Sequence, residues 1–220
     1  MPERKRPRRT PQRILETSLA LFNRFGEPHI TTADIADEMN ISPGNLYYHF
    51  RNKDDIIGGL YEALEAEIAP LLAWPDQRAA GVEDLWLLLH LLFERMREYR
   101  FFYRDLDEIT SRNRRIASRF ADLTRRGENT VIELCRGLVA AGEMRASERE
   151  IASLASNVTL VSTYWMSFHR IGARHGGDDS GADQAAASLD RAAYQVLALI
   201  APYLVGEGRM LIDRLGENYL

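Results

Sequence analysis

Apolar residues recur at spacings of three and four along nearly all of this 220-residue chain. No stretch of five or more residues alternates apolar with polar between hairpin-type turn pairs. A chain patterned this way buries its apolar surface by packing helices on helices, so the expected fold is all-α. Caps and breakers set the helix limits. Thr10-Pro11 is a cap and first-position pair; Ile14, Leu15, Ala20, Leu21, Phe22 and Phe25 follow with helical spacing, and Gly26 ends the run. Thr32 begins a short helix with Ile35, Ala36 and Met39, and Asn40 after it tolerates the left-handed geometry of a tight turn. Ser42 caps and Pro43 opens a third helix ending near Phe50. A fourth starts around Asn52 and runs to Pro70 or Trp74.

Beyond Pro75 the helices lengthen. The pattern predicts helices over 82–99, 101–109 and 112–141, the last kinked near Gly127. Ser147 and Glu150 form a capping box opening a helix that reaches Ala173. The run GGDDSG at 176–181 reads as a turn, 182–204 as the last long helix, and 209–220 as a short tail helix.

Composition narrows the class. The single Cys135 excludes an internal disulfide and a cysteine-based metal site, and no apolar run is long enough to span a membrane. The first residues lack the apolar core of a signal peptide, so a cytoplasmic protein is expected. The net charge of −4 conceals an asymmetry: residues 1–53 hold nine Lys/Arg against six Asp/Glu, and the other 167 hold 19 against 26. A basic head on an acidic body would engage a polyanion at one end only.

The head has the parts of a helix-turn-helix. Two short helices flank the tight turn at Asn40, and a helix of this length fits the major groove with its N-terminal side chains toward base edges. Leu46 and Phe50, four apart, face inward; Asn45, Tyr47, Tyr48 and His49 remain for the outside, as hydrogen-bond donors to phosphate and apolar partners for a thymine methyl. Lys53 starts the next helix, where its ammonium and free backbone N–H groups suit a phosphate.

The segment ITTADIADEMNISPGNLYYHFRNKDDII resembles the DNA-binding head of the TetR family of bacterial repressors. The likeness is carried by Thr31 or Thr32, Ile35-Ala36, Gly44, Leu46-Tyr47, His49-Phe50 and Lys53 in order and spacing, over residues 10 to 65. It implies an N-terminal three-helix DNA-binding domain (1–53) and a larger helical effector-binding and dimerisation domain (54–220). It further implies that Thr32, Tyr47, His49 and Lys53 hold phosphates while Pro43, Gly44, Asn45 and Tyr48 meet base edges. Asn45 can pair bidentately with adenine, worth about 1–3 kcal/mol. Two alternatives stay open: Tyr48 as a packing residue, and Thr31 as a neighbour of the true cap. One departure from the family pattern is Asn40, where Gly is common.

In the resembled family the body forms a homodimer through its last two long helices and holds a small molecule between the middle ones. On the helix from Ser147, Ile151, Leu154, Ala155, Val158, Val161, Trp165 and Phe168 read as one stripe, with Leu160, Tyr164 and His169 off it. Leu189, Ala193, Val196, Leu197, Ile200 and Leu204 form a second stripe on the last long helix. Pocket candidates are Trp86, His90, Phe93, Tyr103, Arg104, Asn157, Tyr164, Trp165, Phe168 and His169, an aromatic-rich set suited to a hydrophobic or flat effector. Four have a plainer competing role: His90, Trp86 and Trp165 in the core, Arg104 paired with Asp105 or Asp107. The helix 54–72 touches head and body and is the expected transmitter.

No metal-binding spacing and no Gly-rich phosphate loop occurs, and no cofactor is implied, so an enzyme is not expected. The expected function is a ligand-responsive transcriptional regulator, a repressor by family tendency, that binds a palindromic operator as a dimer. The alternative is a helical adaptor or small-molecule-binding protein without DNA binding.

Overall fold

The computed structural model describes residues 10–73, 81–173 and 181–216, with side chains at 169–173, 181–188 and 215–216 outside that description. The basic arm of residues 1–9 and the turn at 176–180 lie outside the described residues. Every regular element described is helical: α1 (Thr10–Phe25), α2 (Thr32–Glu38), α3 (Pro43–His49), α4 (Lys53–Leu71), α5 (Val82–Glu98), α6 (Arg100–Arg104), α7 (Leu106–Arg112), α8 (Arg114–Ala140), α9 (Glu148–Ala173), α10 (Gly181–Ile200) and α11 (Gly206–Gly216). None of the described helices is long and apolar enough to cross a membrane.

Local hydrogen bonding explains most boundaries. Asn113 caps α8 by accepting from the Ile116 N–H, and Ser147 and Glu150 form the expected capping box before α9. At the end of α8, Gly142 takes φ 76° while its N–H and that of Glu143 donate to Val139 and Leu138, a Schellman motif. Two expectations change. The segment 101–109 is not one helix but two, α6 and α7, broken at Asp105, whose carboxylate is used elsewhere. Gly127 does not interrupt α8, which runs unbroken from Arg114 to Ala140. Its missing side chain instead faces Leu72 at the end of α4.

One continuous apolar core joins head and body. α4 packs on α1 at one end and on α5 and α8 at the other. Polar pairs fix that register: Glu62 with Arg115 and Arg119, Glu65 with Arg119, and Glu67 with Arg95 at 3.0 Å and the Tyr99 hydroxyl at 2.9 Å. On α1 the buried positions include Ile14, Ser18, Phe22 and Asn23, whereas Ala20 and Phe25 face outward. Asn23 is buried because its amide bridges to the body. It donates to the Glu98 carbonyl at 2.7 Å and accepts from the Phe101 N–H at 3.0 Å.

Candidate nucleic-acid interface and effector cavity

The turn between α2 and α3 fixes the pose of the third helix. Asn40 has φ 53°, its N–H donates to Asp37, and the Ile41 N–H donates to Ala36 at 3.0 Å. This is a Schellman ending with Asn in the place Gly often takes. α2 opens on Thr31, not Thr32: Thr31 Oγ1 accepts from the Asp34 N–H, and the Asp34 carboxylate accepts from the Thr31 N–H at 2.7 Å. Those bonds hold the Asp34 carboxyl below the usual carboxylate range. Thr32, one place inside the helix, is thereby released to meet Tyr47, with Oγ1 2.9 Å from the phenol oxygen. Ser42 Oγ accepts from the Asn45 N–H, and Leu46 is fully buried beneath α3.

The outer face of α3 then presents Pro43, Gly44, Asn45, Tyr47 and Tyr48 to solvent. Tyr48 is 84 % exposed, which rules out a packing role within this chain, and its ring lies edge-on to the His49 imidazole at 5.0 Å. Lys53 is placed differently from the expectation. Its ammonium turns inward, donating to the Glu27 and Ile30 carbonyls at 3.0 Å each and lying 2.8 Å from Glu27 Oε1. The backbone at the start of α4 remains at the surface of the head, capped by Asn52 through the Asp55 N–H.

Glu27 is the centre of a buried junction that the sequence pattern did not reveal. Its carboxylate is fully buried and also receives Arg112 at 2.8 Å, while its backbone N–H donates to Asp105 at 3.1 Å. Arg112 in turn reaches Asp54 at 3.0 Å. Arg104 pairs with Asp105 at 3.2 Å and donates to the Phe22 carbonyl at 2.6 Å, ending α1. So the plainer role of Arg104 is the observed one, with the addition that it ties α6 to the head.

Within the body a cavity of about 90 Å³ lies between α4, α5, α6, α8 and α9, lined by Ile68, Leu72, Leu88, Leu89, Leu92, Met96, Tyr103, Phe120, Leu123, Thr124, Gly127, Val131, Val158, Thr159, Ser162 and Thr163. A groove of about 630 Å³ adjoins it between α7, α8 and α9 and shares Phe120, Thr124, Thr159 and Thr163 with it. Of the predicted pocket residues, Tyr103 lines the cavity and Tyr164 the groove. Burial raises the Tyr103 phenol well above its ordinary value.

The other predicted pocket residues whose side chains are described are not brought there. Phe93 is buried in the core. Trp86 stacks on His90 at 5.1 Å, and His90 lies 3.5 Å from Glu94. Asn157 faces solvent, one residue and about 100° of rotation before Val158 on the cavity side. Trp165 is half-buried beside Phe168, and the His169 side chain lies outside the described residues. Phe168 is 66 % exposed, not part of the inward stripe. Three residues at roughly 100° each carry it about 60° away from Trp165, onto the face of Leu160 and Tyr164. The hydroxyl residues Thr159 and Thr163, one turn apart on α9, were the available signal for the true lining.

Comparisons with known proteins decide the family. A model described as "Bacterial transcriptional repressor", TetR, matches residues 63–211, and one described as "Bacterial regulatory proteins, tetR family" matches residues 14–60. The chain belongs to the TetR family. A TetR-family transcriptional regulator of Marinobacter aquaeolei is 35 % identical, superimposes with a TM-score of 0.81, and is matched over 96 % of this chain and 98 % of that one. Among curated relatives, the probable acrEF/envCD operon repressor of Escherichia coli is 36 % identical over 53 residues, 24 % of each chain. The regulator TtgR of Pseudomonas putida is 23 % identical over 66 % of this chain and 75 % of its own length. The match to the E. coli repressor thus spans about a quarter of its length. A TetR-family chain is a ligand-responsive transcriptional regulator and not an enzyme, and the adaptor alternative is not favoured.

Proposed function

We propose that this TetR-family chain is a cytoplasmic homodimeric repressor, with residues 1–53 as the reading head and 54–220 as the sensing body. Its two heads hold a palindromic operator that a small effector makes it release. The observation that carries the reading is the first turn of α3. Pro43, Gly44 and Asn45 stand exposed on a helix whose pose is fixed by the Ser42 cap, the Asn40 turn and the Thr32–Tyr47 bond. Asn45 reads a base edge, helped by Pro43, Gly44 and Tyr48, while Thr32, Tyr47 and His49 hold phosphates. Lys53 serves the same contact by holding the start of α4 against the Glu27 turn.

The dimer is supported by α9, where Leu160, Tyr164 and Phe168 stand four apart, 57 %, 43 % and 66 % exposed. Such a stripe on one face suits a symmetric helix pairing with α10 alongside. Release has a route in the chain. Tyr103 lines the cavity while the next two residues, Arg104 and Asp105, bind the Phe22 carbonyl and the Glu27 N–H of the head. A ligand pressing on α6 acts on α1 directly as well as through α4. Two recognition helices must meet major grooves about 34 Å apart, so a few Å of head movement breaks the fit.

The test is binding of the full chain to duplex DNA by fluorescence anisotropy. Tight binding to a selected palindrome, one dimer per site, with affinity falling steeply with salt is the expected result. A monomer by light scattering, or no salt-dependent duplex binding, refutes the reading.

A further inference from the structure

Among the described residues, the lining of the cavity between α4, α5, α6, α8 and α9 contains no Asp, Glu, Lys, Arg or His. Its polar side chains all carry hydroxyls, and Thr124 already donates to the Phe120 carbonyl at 2.8 Å. Tyr103 lines the cavity at 4 % exposure, and its hydroxyl is not sealed off without a partner as the Tyr61 hydroxyl is. A hydroxyl on a cavity wall can be met by a group brought from outside the chain, which would hydrogen-bond to it there. An ion entering here would lose its water with no counter-charge to replace it.

The inner cavity holds about three waters' worth of space, whereas pockets for small ligands run to roughly 300–1,000 Å³. The neighbouring groove falls in that range, and its charged residues, Arg125 and Glu128, are absent from the inner cavity lining. The half-buried Phe120 belongs to both spaces, its ring centroid 6.2 Å from that of Tyr103 and 5.5 Å from that of Phe102. Among the described residues, it is the one aromatic ring that lines both spaces.

We propose that the effector of this protein is an uncharged, largely apolar molecule carrying one hydrogen-bonding group that meets Tyr103. It enters from the α7–α8 side of the groove, away from the Leu160 and Tyr164 wall given to the dimer, by displacing the Phe120 ring. That the chain answers to a small molecule is taken from the proposed function; the chemical class comes from the cavity itself.

Three fluorescent probes on one ring scaffold test this with the full-length protein: N-phenyl-1-naphthylamine, its 8-sulfonate, and 1-phenylnaphthalene, which lacks the N–H. The neutral amine should bind once per protomer, at least about tenfold more tightly than the sulfonate. Tyr103→Phe should weaken the amine about fivefold and leave 1-phenylnaphthalene unchanged, a comparison that separates a lost hydrogen bond from a damaged fold. Phe120→Ala should speed association of the amine at least about threefold, and Phe120→Leu should fall between it and the parent. Equal or tighter binding of the sulfonate overturns the assignment of charge. A Tyr103→Phe variant that binds the amine as the parent does overturns the role of the hydroxyl, and an unchanged association rate in both Phe120 variants overturns the entrance. Duplex binding measured on the same protein separates the two readings. Its absence removes the regulator while these ratios stand, and its presence beside a preferred sulfonate removes only the cavity proposal.

Discussion

Replacing Glu27 by Gln tests how head and body are joined. The substitution keeps the shape of the side chain and one oxygen acceptor but removes the charge that Lys53 and Arg112 share at 2.8 Å each. At an effective dielectric constant of about 20, each contact amounts to roughly 5–6 kcal/mol of gross attraction, most of it cancelled by the water the ions give up. Removing one partner of a fully buried pair costs about 3–5 kcal/mol. Here Glu27 is fully buried, but Lys53 and Arg112 keep 24 % and 35 % of their side-chain exposure, and Arg112 retains Asp54. The expected loss is therefore about 2–3 kcal/mol, close to a fall of 5–10 °C in Tm for a chain of this size. Urea unfolding monitored by circular dichroism measures it, with Arg112→Gln and the double variant completing a cycle. Strongly non-additive losses are expected, because both changes remove the same contact. A loss below about 0.5 kcal/mol, or additive single effects, would refute the view that a buried charge cluster holds the two parts together.

Asn45→Ala should relax base preference at one position per half-site while leaving affinity for other point-mutated operators in proportion; unchanged relative affinities across the series would remove Asn45 as a reader. Tyr47→Ala should weaken binding to operator and random duplexes alike, since it loses a phosphate donor and the Thr32 bond together, and a change confined to one base position would contradict that role. Leu160→Glu combined with Phe168→Glu puts like charges on the exposed α9 stripe and should yield monomers in light scattering with the helical content retained; a dimer at micromolar concentration would place the interface elsewhere. Burial pushes the Cys135 thiol up to about 11 from an ordinary 9.0, so a disulfide-exchange reagent at pH 8 should modify the folded protein only as fast as it opens. The sign of the linkage follows. The unfolded thiol ionises first, so this contribution to stability is full below about pH 9 and is lost as pH rises toward 11, and Cys135→Ala should lack it.

Local rules carried far in this chain. Pro43 after Ser42, Asn40 in the turn, and the Ser147–Glu150 pair act through bonds between residues three to five apart, so their structural consequences follow from spacing alone. The exposed face of α3 was readable for the same reason: with Leu46 buried, a seven-residue helix leaves Asn45, Tyr47 and Tyr48 outside. Thr31 and Thr32 show the limit of that reasoning, because either could cap and only the Asp34 carboxylate distinguishes them.

The pocket was legible only in part. On α9, apolar residues occupy both the buried face and the exposed one, and a stripe drawn by steps of three drifts from one to the other before it reaches Phe168. The cavity is defined by what faces it from five helices at once, and hydroxyl residues on α9 that look unremarkable in the sequence become much of its polar lining. The inward turn of Lys53 depends on Glu27, 26 residues earlier, and the burial of Glu27 depends on Arg112, 85 residues later. The amino-acid order by itself determined most of the helices and their ends and the exposed face of α3, because hydrogen bonds and rotation per residue act within a few positions. Only the folded arrangement decided which charges are buried and where the empty space lies, because both result from side chains brought together from distant parts of the chain.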